Sequence, residues 1–427
     1  MKVMFNAGSF SLNKSYSSNF FQVACVQGQK FFLMPLLVLI IATITSQKDF
    51  GEFIISFTLS QLMMICCDFG LNQKIIADSK GKFPSLILVL SMMLLKAMIS
   101  FLCLALFSAL IFVFFEEEFF LNFLWIVSGF IASQSNFFWA IFKANKNFYV
   151  EFQGASIASV MLVLLVAILY FFAELTSISL CLAFFFSRLV ALFWSIFCFC
   201  REKEFRSHYD YSVKAYFEVI ISSLKAVVPL AGLTVFAFGY IYFDLFIIKY
   251  FMDSEKVAVY QLAFRIIMLT MIAPEIFNNL FLPYLSKSKY EDFKKFLDLV
   301  KMSQKVLFLY AIFACIFLFI ASKPVITYIF GVEYFESIFL IKILLPLVVL
   351  RCIGTPLGLA LLVLDKLWFR FFALLSIAVA GAMANFLLVP NHGLLAVIFV
   401  SIVLHVVLNV FYWVAFYYHP QINDDVI

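Results

Sequence analysis

Seven basic side chains fall inside runs of hydrophobic residues: Lys30, Lys96, Arg188, Lys225, Arg265, Lys342 and Arg351. A cation in hydrocarbon costs several kcal/mol unless it faces water, a partner or a ligand. These residues are therefore the ones placed to do chemistry. The stretch from Asp244 to Ser286 is the most informative. Asp244 ends one apolar run, and Lys249, Asp253, Glu255 and Lys256 make a charged turn. Arg265 follows about ten residues into the next run, roughly 15 Å deep at 1.5 Å per residue. That depth is too great for easy snorkelling to the nearer interface.

The cations differ in depth. Lys96, Arg188, Arg265 and Arg351 lie near the middle of their runs, Lys30 and Lys225 roughly 12 Å from one end. Lys342 is close enough to an end to snorkel. It stands nine residues before Arg351, about 180° around a helix, so the two cannot face one cavity. Acids in the runs are fewer and sit toward their ends: Asp68, Asp244 and Glu275. These three are the candidates for coupling to an ion. A cationic midplane without matching acid is poorly solvated and self-repelling, so it calls for an anionic ligand or much water.

Catalytic chemistry is not indicated. No phosphate loop G-x-x-x-x-G-K-[ST], no G-x-G-x-x-G and no H-E-x-x-H occurs. His208, His392, His405 and His419 share no metal-ligand spacing, and His405 reads as a hydrogen-bonded structural histidine. The nine cysteines lie in apolar runs without C-x-x-C pairs and read as small buried hydrophobes. No catalytic residue, metal, cofactor or nucleic-acid partner is expected. Any uphill transport would draw on an ion gradient or a downstream sink.

These residues must be held by membrane-spanning helices. The chain is 65% hydrophobic and 13% charged, with a mean hydropathy of +1.06, far from soluble composition. Apolar runs near 20 residues recur throughout, which gives an all-α integral membrane protein. Twelve spans are expected, at roughly 22–45, 52–72, 84–113, 119–142, 150–172, 177–200, 217–250, 256–285, 303–321, 337–363, 367–389 and 394–417. The polar first twenty residues do not read as a cleavable signal. With these spans, one side of the membrane carries 19 of the 30 Lys+Arg, from Lys2 to Arg370, and the other carries 4. The basic side is the cytoplasmic one, so both termini are expected there. Residues 201–215 form the expected boundary between two lobes, 1–200 and 216–427. Between Lys287 and Lys305, Tyr290, Phe293, Phe296, Leu297 and Val300 recur at helical spacing among lysines. That pattern reads as an amphipathic helix on an anionic leaflet or as a solvated face.

Four segments resemble a known family. They are Phe50-Gly51-Glu52-Phe53 with Asp68-Phe69-Gly70-Leu71; Asp244 with Val259-Tyr260-Gln261-Leu262-Ala263-Phe264-Arg265-Ile266 and Pro283; Phe330-Gly331-Val332-Glu333-Tyr334; and Asn385-Phe386-Leu387-Leu388-Val389-Pro390-Asn391-His392-Gly393. In order and spacing they resemble Wzx-type polysaccharide flippases of the MOP superfamily, which also holds MATE exporters and lipid II flippases. Ala258 departs from the family, which usually has glycine there. The resemblance implies two six-helix lobes of MATE-like fold, related by a pseudo-two-fold axis along the membrane normal. It implies a flippase that moves a polyprenyl-pyrophosphate-linked oligosaccharide to the periplasmic leaflet for O-antigen or capsule biosynthesis. The location implied is a bacterial inner membrane, beside a polysaccharide polymerase and a chain-length regulator. In the family, helices one, two, seven and eight line the cavity. Carried over by position, Lys30 and Arg265 become the substrate contacts, Lys225 and Asp244 stand behind them, and Lys96, Arg188 and Arg351 rank below. A MATE-like small-molecule exporter and a polysaccharide polymerase are the alternatives. The first should show mid-membrane acids, and the second a long periplasmic loop.

Overall fold

A computed structural model describes residues 22, 25, 26, 28, 29, 33–79, 83–114, 118–145, 147–172, 175–202 and 213–418. Among these, the chain is helical throughout. α1 is Met34–Ile44, α2 Gln47–Asp68, α3 Leu71–Ser79, α4 Leu86–Phe114, α5 Phe119–Ala144, α6 Tyr149–Phe172 and α7 Ser177–Arg201. α8 is Val213–Phe251, α9 Ser254–Leu269, α10 Ile272–Glu291, α11 Phe293–Val325, α12 Phe335–Val363, α13 Leu367–His392 and α14 Leu394–Tyr417. Among the described residues, 10 helical segments are long and apolar enough to cross a membrane. This is a multi-pass membrane protein.

Helix boundaries follow from local chemistry. Ser46 caps α2 by accepting from the Asp49 amide, and Asp253 caps α9 by accepting from the Lys256 amide. Thr176 and Ser179 form a reciprocal capping box at α7. α2 stops at Phe69 and Gly70, both in the left-handed region, and the chain turns into α3. The expected eighth span is two helices. α9 ends at Leu269, and its loosened Thr270 carbonyl accepts from the Tyr310 hydroxyl of α11 at 2.8 Å.

Packing repeats between the two halves. α5 lies against α2, α4 and α7, and α6 against α7; correspondingly, α12 lies against α9, α11 and α14, and α13 against α14. α2 and α9, equivalent under this repeat, also pack on each other. At their starts the halves are joined tightly. A Cβ on Gly51 would lie 1.9 Å from the Ser254 carbonyl oxygen. Around this contact Phe50 meets Tyr334 edge-on, Gln47 donates to the Glu333 carbonyl, and Lys249 pairs with Glu118 at 3.1 Å. Phe50, Phe53, Ile54 and Trp125 fill the space behind it and are fully buried. The molecule is closed at this end, opposite the basic loops.

The segment read as an amphipathic surface helix is different. α11 is continuous from Phe293, and Phe296, Leu297 and Val300 pack in a core with Leu357, Leu361, Tyr412 and Phe416. Its apolar face covers protein, not a leaflet. The same spacing serves either purpose, and the neighbouring helices decide.

Candidate functional site

Two separate cavities carry the arginines, and no residue lines both. The first holds about 410 Å³ and is walled by α1, α2, α5, α6, α7, α8 and α9. Arg188 and Arg265 both reach it. Its polar lining includes Gln29, Thr58, Gln61, Ser135, Asn136 and Tyr242, and no carboxylate among the described residues lines it. Arg265 stands about 16 Å from the start of α9, below the closed end. Its guanidinium lies 5.8 Å from the Phe57 ring centroid, and its Nε is buried without a hydrogen-bond partner among the described residues. A buried donor without a partner costs more than a satisfied one gains, so this group is poised for an acceptor.

Arg188 is held differently. Its Nη1 donates to the hydroxyls of Ser60 on α2 and Ser128 on α5, and its guanidinium lies near the Phe184 ring. Gly129 makes the double contact possible, since a Cβ there would sit 2.2 Å from the Ser60 carbonyl oxygen. Both acceptors are neutral, so the charge itself is left uncompensated. The resemblance leaves the sixth expected span, 177–200, outside the cavity-lining helices, but this span, α7, brings Arg188 into the same cavity as Arg265.

The second cavity, about 430 Å³, belongs to the other half. Arg351 and Arg370 line it with Glu275, Thr355, His405, Asn409 and Tyr412. Arg351 donates from Nε to His405 Nε2 at 3.0 Å and reaches the Met268 sulfur. That nitrogen must be an acceptor, and Nδ1 faces the Ser401 carbonyl at 2.8 Å, so His405 is a neutral structural histidine. The two halves repeat this device. Arg188 lies eleven residues past the first residue of α7, and His405 eleven past the first of α14. Each half thus ties its equivalents of α2, α5 and α7 together around a guanidinium. α9 separates the cavities, with Arg265 facing Phe57 while Phe264 and Met268 meet Arg351.

The other expected residues lie elsewhere. Lys96 lines neither cavity; it is 1% exposed and donates to the Cys67 carbonyl at the end of α2 and to Ser133. Asp244 is buried, accepts from the Tyr260 hydroxyl, and borders only a minor void beside Asn385. Asp68 ends α2, and Glu275 lines the second cavity. Lys342 rests against the Phe319 ring and lines neither cavity. Lys30 lies outside the described residues, as does the side chain of Lys225 within α8. No cluster of potential metal ligands occurs among the described residues. Gln61, Asn136 and Arg370 were missed. The first two are amides interrupting apolar runs, a signal that could have found them. Arg370 was assigned to a loop but sits in the first turn of α13, near the Tyr412 ring.

A family described as polysaccharide biosynthesis protein matches residues 40–339. The chain belongs to this family. No curated protein matches this polysaccharide biosynthesis family member in sequence. Its fold is similar to that of a MATE-family multidrug resistance transporter of the MOP superfamily in an inward-facing conformation, with a TM-score of 0.70 and 12% identity over 93% of this chain and 98% of that one. It is also similar to the lipid II flippase MurJ in an inward closed conformation, at TM-score 0.64 and 13% identity, covering 94% and 88%. A third similar structure is a MOP superfamily transporter from Pyrococcus furiosus described as having a binding pocket of reverse polarity, at TM-score 0.60 and 14% identity, covering 94% and 95%. The polysaccharide biosynthesis family member therefore has the all-helical, two-lobed MOP fold.

Proposed function

We propose that this protein is a flippase for a polyprenyl-pyrophosphate-linked oligosaccharide, working by alternating access from the cytoplasmic to the periplasmic leaflet. One observation carries the reading: Arg188 and Arg265 share a membrane-embedded cavity that no carboxylate lines among the described residues. An anionic head group supplies the missing counter-charge, and Gln61, Asn136 and Thr58 offer hydrogen bonds to sugar hydroxyls. Transfer of such a head through bare hydrocarbon would cost several kcal/mol per unsatisfied polar group. The cavity removes that cost while the lipid chain stays in the bilayer. A cation exporter is disfavoured by the same charge pattern.

The proposal takes the basic side as cytoplasmic, which makes the closed end periplasmic. It assigns lobes 1–200 and 216–427, placement in a bacterial inner membrane with both termini cytoplasmic, and no catalytic activity. It also assigns surface polysaccharide assembly, O-antigen or capsule, with a polymerase and chain-length regulator downstream. Arg265→Ala tests it in cells whose surface glycan depends on this gene. Glycan display should be lost at normal membrane abundance, because removing a deep charge does not hinder insertion. Arg265→Lys should restore part of it, since an ammonium lacks the planar fork that matches phosphate oxygens. Lys342→Ala should be silent. Normal display by Arg265→Ala would remove the basis of the reading.

A further inference from the structure

Gln261 is 0% exposed, and neither its amide oxygen nor its amide nitrogen has a hydrogen-bond partner among the described residues. Leaving a buried polar group unpaired costs more than pairing it gains, so this side chain destabilises the closed arrangement in which it lies. Packing does not require it. Counted from the caps Ser46 and Asp253, the equivalent position on α2 is Ile54. That position is also fully buried and is filled by an apolar side chain.

α9 meets α2 at two points on one face. The Ser254 carbonyl abuts Gly51, and the Arg265 guanidinium lies near the Phe57 ring. Gln261 stands seven residues past Ser254 and four before Arg265, within about 40° of both around the helix. It therefore faces α2 across the seam between the halves. Arg265 lines the arginine cavity and Gln261 does not, so the amide sits about 6 Å beyond Arg265, past the cavity ceiling and toward the closed end. A ligand anchored on Arg265 is one helical turn below it. Parting of α2 from α9 at the closed end uncovers it.

We infer that Gln261 is a sugar-contacting residue of the opened state, pairing with hydroxyls of the head group as the substrate passes from Arg265 toward the closed end. This rests on the flippase reading above and names the part of the substrate that this position recognises. An amide donates from nitrogen and accepts at oxygen. An ionised phosphate only accepts and would leave the amide oxygen unpaired, whereas sugar hydroxyls do both. Both polar atoms of Gln261 are then satisfied with substrate bound, which favours opening of the loaded protein.

The test uses full-length Gln261→Cys in phosphatidylethanolamine–phosphatidylglycerol liposomes, treated with a membrane-impermeant maleimide. Adducts are mapped by mass spectrometry, which separates position 261 from the native cysteines. The position should label, because opening uncovers it. A polyprenyl-pyrophosphate-linked oligosaccharide should protect it several-fold better than polyprenyl pyrophosphate without sugar. No label at 261 would leave the residue in a sealed core and overturn the inference. Equal protection by the two lipids would assign the position to the pyrophosphate and overturn it as well. Gln261→Leu should raise the melting temperature in detergent, and should slow transfer of the linked oligosaccharide about twofold to twelvefold, the worth of one hydrogen bond. Gln261→Asn should keep part of the rate. A lowered melting temperature in Gln261→Leu would mean that the amide is bonded in the closed state, and a native transfer rate that it is idle in transport; either overturns the inference. Loss of protection in a protein that still moves the linked oligosaccharide through Arg265 would overturn the inference and leave the flippase reading intact. A native protein that moves no such lipid would overturn both.

Discussion

The Arg265 guanidinium lies 5.8 Å from the centre of the Phe57 ring, on the helix that packs beside its own. Phe57 belongs to α2 and Arg265 to α9, so the contact crosses between the halves of the molecule. A ring face is worth about 0.5–2 kcal/mol to a cation, more where water is excluded. It holds the charge without neutralising it, which leaves the guanidinium available to an anion.

Phe57→Leu should therefore lower flipping in liposomes by about twofold to thirtyfold, the range that 0.5–2 kcal/mol corresponds to. Phe57→Tyr should stay close to the native rate. Equal losses in both variants would show that the ring packs and does nothing for the cation.

The Gly51–Ser254 contact gives a conformational prediction. A Cβ 1.9 Å from a backbone oxygen cannot be accommodated by side-chain movement. Gly51→Ala should force α2 and α9 apart and open the closed end. Spin labels at Lys48 and Glu255, both exposed, should report a longer distance than in the parent protein. An unchanged distance distribution would mean that this contact does not govern closure.

Lys96 separates a structural cation from a functional one. It donates to the Cys67 carbonyl and to Ser133, and hydrogen bonds from a charged group are worth about 1.5–3 kcal/mol. Lys96→Ala should reduce thermal stability in detergent, while flipping per folded molecule stays near the native rate. Loss of flipping at unchanged stability would place Lys96 in the transport machinery.

Much of the architecture was legible because hydrocarbon imposes a coarse rule. Runs of about 20 apolar residues must span, and 10 helical segments among the described residues are long and apolar enough to do so. The break at Thr270 was not legible, since the group that takes up its freed carbonyl is the Tyr310 hydroxyl, from a helix 40 residues away. Arg265 could be singled out by depth alone. Depth alone also singled out Lys96 and Arg351. What distinguishes these three is whether a neighbouring helix supplies a carbonyl, an imidazole or a void. Composition is blind to that. Arg370 was passed over for the opposite reason, because its place near a helix start resembles a loop although α14 brings Tyr412 to it.

Orientation rests on loop charge, with 19 of 30 Lys+Arg on one side and 4 on the other. Reporters fused at Asp424 and inserted at Arg206 should both read as cytoplasmic. A periplasmic reading at either would reverse the assignment of the closed end.

Flipping by the purified protein is the most direct measurement of the central claim. Proteoliposomes would be loaded with a fluorescent polyprenyl-pyrophosphate-linked oligosaccharide, and its transfer between leaflets followed by quenching from outside, without ATP. Because neither a phosphate loop nor a G-x-G-x-x-G occurs in the chain, the protein should move this lipid without ATP, either down its own concentration difference or under an imposed ion gradient, and Arg265→Ala should not. No transfer under any gradient, or transfer that Arg265→Ala supports at the native rate, would contradict the account.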